Sequence, residues 1–139
     1  MQITRTLNTD ENTLYHFIHS LADEDAKQPV KAGTVYKKML VNVKGVKQKV
    51  KVTVDAIEPG LYQVSIDQNG DHYLMRYSWK RSGHGKVDLV YEETATLKKA
   101  TDRFSQKLNT LLNSFSTKRR INERLDIFEK ALEGFEWHD

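Results

Sequence analysis

Between Thr34 and Thr96 apolar and polar residues alternate almost without interruption, and this block lies between a short amphipathic stretch and a very long one. Period-two alternation sends successive side chains to opposite faces of a pleated strand. The block therefore predicts a single curved antiparallel sheet with one dry face and one wet face. Ahead of it, Gln2 to Leu7 reads as a first strand with Ile3 and Leu7 on one side. Asn8, Thr9 and Asp10 offer caps for a helix running to about Ala26, and Leu14, Phe17, Ile18 and Leu21 follow the i, i+3, i+4, i+7 spacing of its buried stripe. Gln28-Pro29-Val30-Lys31-Ala32-Gly33 breaks that helix and serves as a linker.

Five strands are expected in meander order: Val35 to Val43, Val46 to Ile57, Leu61 to Asp67, His72 to Arg81 and Lys86 to Thr96. Asn69-Gly70 is the strongest turn among them, because both residues tolerate the positive φ of a two-residue hairpin loop. That loop sets Ile66 opposite Tyr73, Val64 opposite Met75 and Tyr62 opposite Tyr77. A three-residue loop at Ser82-Gly83-His84 sets Tyr73 opposite Glu93. The dry side takes Val50, Val52, Val54, Val64, Ile66, Met75, Val87 and Leu89 together with the aromatics discussed below. The wet side takes Lys47, Lys49, Lys51, Thr53, Asp55, Gln63, Ser65, Asp67, His72, Arg76 and Lys80. A slip of one residue would invert both faces, so the phase is strongly specified.

Leu97 to about Glu133 reads as helical throughout and holds neither Gly nor Pro. Leu97, Ala100, Phe104, Leu108, Leu111, Leu112 and Phe115 form one stripe. Ile121, Leu125, Phe128 and Leu132 form a second, displaced by roughly 110° on the wheel. One straight helix cannot bury both stripes on one sheet. A break or sharp bend near Ser114 to Thr117 is expected, with residues 118–139 a separate helical segment of a single domain spanning 1–139. That segment either folds back, over the first helix for instance, or pairs two copies into a homodimer.

Composition narrows the functional classes. A domain of 139 residues buries roughly 68% of its unfolded surface and needs no staple. Cysteine is absent, which removes thiolate nucleophiles, disulfides and cysteine-based zinc sites. The first residues carry no apolar core of signal-peptide length, and no apolar run approaches the roughly 18 residues of a membrane span. A soluble, cytoplasmic protein without a membrane span is expected. The net charge of +3 is unevenly spread: no Asp or Glu occurs between Ala26 and Val54, where eight lysines fall, and Lys118-Arg119-Arg120 forms a second cluster. Such a face is either a solvated, aggregation-resistant surface or a contact for an anionic partner. Without interleaved aromatics it does not support specific nucleic-acid binding.

The chemistry-bearing residues are aromatic. Tyr62, Tyr73, Tyr77, Trp79 and Tyr91 share the dry phase of neighbouring strands, and four phenol hydroxyls on a core face each need a partner. A pocket holding water or ligand would supply one; hydroxyls reaching the sheet ends or each other would be the alternative. Glu93 continues the dry phase and could orient a polar ligand head or act as a base, or else lie near solvent at the sheet end. His16 and His19, with Asp23 four residues on, have metal-ligand spacing but fall opposite Leu14 and Leu21, so no metal site is expected. Ser82-Gly83-His84-Gly85 opens no helix and lacks the N-terminus that phosphate cradles use. No catalytic residue and no cofactor are implied.

Strand, helix, a five-strand meander and a long C-terminal helix form the order of the helix-grip fold. The chain resembles the START-like (SRPBCC) superfamily, which includes lipid-transfer domains, the birch-pollen allergen group and polyketide cyclases. More narrowly it resembles an uncharacterised family of small proteins from low-GC Gram-positive bacteria. The segments that carry this are Met1-Gln2-Ile3-Thr4-Arg5-Thr6-Leu7-Asn8, Tyr91-Glu92-Glu93-Thr94 and Leu108 through Arg120. It departs from the superfamily in having one helix rather than two after the first strand, and a longer C-terminal helix. The resemblance implies an α+β fold whose cavity between sheet and C-terminal helix takes a small apolar or amphipathic ligand. Tyr62, Tyr73, Tyr77, Trp79, Tyr91 and Glu93 would line its sheet side, and Leu108, Leu111 and Leu112 its helix side. An interaction module using the basic face, or a cyclase- or hydratase-type enzyme, are the other readings open at this point.

Overall fold

A computed structural model describes residues 1–41, 45–96 and 103–137, with 103–117 as backbone only. Its elements are β1 (Gln2–Leu7), α1 (Glu11–Ala26), β2 (Val35–Val41), β3 (Lys47–Glu58), β4 (Leu61–Gln68), β5 (Asp71–Gly83), β6 (Lys86–Thr96) and α2 (Arg103–Glu133). The six strands form one antiparallel sheet in the order β1-β6-β5-β4-β3-β2, so β1 and β2 occupy its two edges. Residues 42–44 and 97–102, including the expected end of β2 and start of the long helix, lie outside the described residues.

Local chemistry explains where α1 starts and stops. The Asp10 carboxylate accepts the Thr13 backbone N–H at 2.8 Å and the Thr13 hydroxyl at 2.7 Å, satisfying donors that the first turn leaves unpaired. At the other end Lys27 takes left-handed geometry (φ 58°), and the Gln28 N–H reaches back to the Asp23 carbonyl at 3.2 Å. Asp23 also accepts the Val30 N–H at 2.8 Å, which docks the linker and buries Val30.

The two hydrogen bonds from Thr13 hold the Asp10 carboxyl below its usual value of 3.8, so the cap favours the folded state above that pH. This contribution disappears as pH falls through the lowered value. Asp10→Ala is therefore expected to cost about 1 kcal/mol in chemical denaturation at pH 7. The gap from wild type should close below pH 3.8, and a gap independent of pH would mean that the carboxylate charge is not what caps α1.

The strand phases hold through the sheet. Val50, Val52, Val54, Val64, Ile66, Trp79, Val87, Leu89 and Tyr91 are all buried, while Lys47, Lys49, Lys51, Asp55, Arg76 and Lys80 are exposed. One wet-phase residue departs: Ser65 is buried beneath Asp55, whose carboxylate accepts its hydroxyl at 2.5 Å. The β4–β5 register pairs Ile66 with Tyr73, Val64 with Met75 and Tyr62 with Tyr77, as the Asn69-Gly70 turn requires.

The β5–β6 register differs from expectation. Gly83 pairs with Lys86 and Arg81 with Val87, so the loop is His84-Gly85, with Gly85 at φ +67°, and the irregularity falls between Arg81 and Gly83. Consequently Glu93 lies opposite Met75, and Tyr73 lies opposite Ala95. Leu21 also departs. It is 40% exposed, and Ala22 takes its place in the core.

The core divides into two clusters. One gathers the β1, β5 and β6 side of the sheet with Leu14, Phe17 and Ile18 of α1 and Ile121, Leu125 and Leu132 of α2. The other gathers the β2, β3 and β4 side with Ala22, Val30 and Tyr36. Tyr62 and Met75 pack against both.

The helix does not break where expected, since α2 runs as one element through positions 114–117. Its second stripe is buried within the same chain and needs no second copy to cover it. Phe128 and Phe135 meet Phe17 edge-on at 5.0 and 5.1 Å between ring centres, and Trp137 stacks on His16 at 4.0 Å. From β1, Arg5 reaches Asp126 at 2.8 Å, Glu129 at 3.4 Å and the Asn122 carbonyl at 3.4 Å. Among the described residues no helix is long and apolar enough to cross a membrane.

Candidate functional site

Where the two core clusters meet, they leave a cleft of about 340 Å³ between α1, the sheet and α2. That lies at the lower end of small-molecule pockets, which hold roughly 300–1,000 Å³. The sheet contributes Val52, Val64, Ile66 and Met75, and the helices contribute Ile18, Leu21, Ala22 and Phe128. These eight side chains are apolar; Asp25, Tyr36, Lys38, Tyr62 and Tyr77 complete the lining. Leu21 is exposed because it forms part of this wall rather than of the close-packed core.

Across the sheet, Tyr62, Tyr77 and Tyr91 stand directly opposite one another on β4, β5 and β6. Their ring centres are 6.0 Å apart for Tyr62 and Tyr77, and 4.8 Å for Tyr77 and Tyr91. Tyr62 and Tyr77 line the cleft. Burial pushes both phenols above their ordinary value of 10; the Asp25 charge adds to this for Tyr62, and Arg124 opposes it for Tyr77. Both therefore stay protonated at neutral pH and present O–H donors. Neither hydroxyl has a hydrogen-bond partner among the described residues.

A polar group borders the same space. The Tyr36 hydroxyl donates to Asp25 at 2.5 Å, and the Lys38 ammonium reaches both Asp25 oxygens at 3.0 and 3.1 Å. Burial first, and then the bond to Asp25, raises the Tyr36 phenol far above its usual range.

The residues expected at the site are only partly gathered there. Tyr91 is 1% exposed and belongs to the core; its hydroxyl donates to Glu93 at 2.6 Å. The phenol beside Glu93 is thus Tyr91 rather than Tyr73. Arg124 stands 3.6 Å from the same Glu93 carboxylate. Tyr91 and Arg124 line a second, smaller space of about 80 Å³ with Ile121 and Leu125, and this space shares Tyr77 and Phe128 with the main cleft. Trp79 is buried in the first cluster, and its indole N–H is unpartnered among the described residues. Tyr73 packs against the second cluster without lining the cleft. Leu108, Leu111 and Leu112 fall where side chains lie outside the described residues.

Sequence reasoning missed Asp25, Tyr36 and Lys38. The available signal was Lys38 in the inward phase of β2, between Tyr36 and Leu40, where a lysine needs a nearby carboxylate. His19 spends its metal-like spacing on Asp23, at 3.1 Å, and no metal-binding group occurs among the described residues.

Among solved structures, the chain is similar to Ara h 8.0201 (16% identity, 96% of this chain and 94% of that one, TM-score 0.59). It is similar also to a conserved protein from Geobacillus kaustophilus (14%, 96% and 94%, TM-score 0.66). A third is a putative uncharacterized protein from Rhizobium leguminosarum (14%, 97% and 94%, TM-score 0.52). At such identities the likeness establishes the fold, which is the START-like, Bet v 1-like helix-grip architecture. No curated protein matches the chain. A family model described as "Domain of unknown function (DUF3284)" matches residues 1–114, and the chain belongs to that family.

Proposed function

We propose that this protein binds a small apolar or amphipathic molecule in the cleft between α1, the sheet and α2. The observation that carries this reading is the pair of phenol donors, Tyr62 and Tyr77, unpartnered among the described residues in a largely apolar cleft of about 340 Å³ that Asp25, Tyr36 and Lys38 also line. A closed core would be filled more favourably by aliphatic side chains, because a buried hydroxyl without an acceptor costs on the order of 1–3 kcal/mol. A ligand with one acceptor oxygen between Tyr62 and Tyr77 and a hydrocarbon body against Val64, Ile66 and Met75 fits both requirements. Bet v 1-like folds commonly take small apolar ligands, which supports the same class here. Tyr91, Glu93 and Arg124 supply a polar end on the far side of Tyr77.

Native mass spectrometry of protein purified from its own host is expected to show a retained small molecule. Environment-sensitive apolar dyes should bind with about 1:1 stoichiometry. Leu21→Trp fills the cleft from a position that is 40% exposed, so the fold should tolerate it. Dye affinity is expected to fall at least about tenfold while the melting temperature moves by only a few degrees. No retained molecule, together with dye binding indifferent to Leu21→Trp, would overturn the reading.

A further inference from the structure

We propose that the outer face of β2 and β3 docks the protein onto an anionic lipid bilayer. On this face Val35, Met39 and Val41 alternate with Lys37 along β2, and the three apolar side chains are 51%, 54% and 61% exposed. The register sets Lys51 opposite Lys37, Lys49 opposite Met39 and Lys47 opposite Val41. Every lysine on the patch is exposed, and none forms an ion pair among the described residues. No Asp or Glu lies between Ala26 and Val54 in the sequence, and the carboxylate that the register brings to this face beside the lysines is Asp67 of β4, opposite Lys51. Facing Lys37 with Lys51 on neighbouring strands repels, and the fold tolerates that repulsion.

Protection against edge-to-edge aggregation does not account for the pattern. It would explain Lys37 on the edge strand β2, but β3 is paired on both sides, with β2 and with β4, and has no free edge to protect. Nor would it explain leaving Val35, Met39 and Val41 in water on that same edge. A surface that puts aliphatic side chains between lysines matches a bilayer interface. There the apolar groups enter the headgroup boundary while the ammonium groups meet anionic headgroups.

Nucleic acid fits less well. The described part of this face holds no arginine and no aromatic ring for stacking, and aliphatic side chains gain nothing from a phosphate backbone. A second copy paired along β2 would bring two lysine-bearing edges together. Docking here is independent of what the cleft holds. It also has a positional consequence: the opposite face of β2 carries Tyr36 and Lys38, so the polar border of the cleft would lie across the edge of the sheet from the bilayer.

Vesicle co-sedimentation tests this directly. Phosphatidylcholine vesicles with about 30% phosphatidylserine should bind the protein at low salt, and pure phosphatidylcholine should not. Each basic residue at such a surface contributes about fivefold, so Lys47, Lys49 and Lys51→Glu together should weaken binding by at least about a hundredfold. If that triple variant does not fold, Lys49→Glu alone should give about fivefold. Met39→Ser with Val41→Ser leaves the charge unchanged and should still weaken binding several-fold.

Lys118, Arg119 and Arg120→Glu changes the net charge by the same amount on an exposed stretch of α2 and should leave binding within about threefold. No binding to anionic vesicles overturns the proposal, as does equal loss in the two triple variants. Tighter binding to duplex DNA that ignores the Met39/Val41 pair would assign the face to nucleic acid instead. Self-association abolished by that pair would assign it to a second copy.

Discussion

Removal of residues 118–139 is expected to leave a chain with no cooperative unfolding transition. The deleted segment carries Ile121, Leu125 and Leu132, which are 1%, 4% and 6% exposed in the same cluster as Leu14, Phe17, Leu89 and Tyr91. Truncating one buried aliphatic residue to alanine costs about 2–5 kcal/mol, so three removed outright cost on the order of 6–15 kcal/mol. A domain of this kind has a total stability of about 5–15 kcal/mol. The deletion also strips Phe17 of both aromatic neighbours and leaves Arg5, whose side chain is 19% exposed in the full chain, without Asp126, Glu129 and the Asn122 carbonyl. Differential scanning calorimetry of the truncated chain checks this. A sharp transition within a few degrees of full length would show that residues 1–117, which include the family's matched portion 1–114, are sufficient and that the C-terminal half of α2 is an accessory.

The second large effect sits in β3. Val52→Asp should destabilise by more than about 3 kcal/mol, because it sets an unpaired carboxylate at a site 2% exposed, between Tyr36 and Ile66 on the neighbouring strands. Lys49→Asp, three positions earlier on the opposite face, should change stability by no more than about 0.5 kcal/mol. Urea denaturation of both variants compares them under one condition. Similar midpoints would mean that β3 tolerates either face inward, and the cleft would then lose its floor.

Much of this architecture was legible because period-two alternation and one Asn-Gly turn leave few choices. β1 and β6 match their sequence limits, and the register that aligns Tyr62 with Tyr77 follows from the loop at Asn69-Gly70. The β5–β6 hairpin was not legible, because Ser82-Gly83-His84-Gly85 contains two glycines and either can bear the positive φ of a turn. Gly85 takes it, and that choice moved Glu93 two residues along β5 from Tyr73 to Met75. The unbroken α2 was hidden for a different reason. Two displaced stripes need separate surfaces, and although packing over the first helix was one of the two expectations, sequence does not reveal that Phe17 of α1 can meet the second stripe without a break in α2. Site residues were legible where they followed the strand period, as for Tyr62 and Tyr77. They were illegible where a helix end brought Asp25 to Tyr36 and Lys38, eleven and thirteen positions away.

The sheet order has a temporal consequence. β1 neighbours only β6 among the described strands, and the hydrogen bond from Thr6 to Asp88 spans 82 positions. Each of the other strand pairings joins neighbours in sequence. Those hairpins close short loops, whereas the entropy of closure grows by about 0.6 kcal/mol for every doubling of loop length. During synthesis, then, the first strand emerges with no ladder to join, and it gains one only when residues 86–96, the last of the six strands to be made, have followed it out.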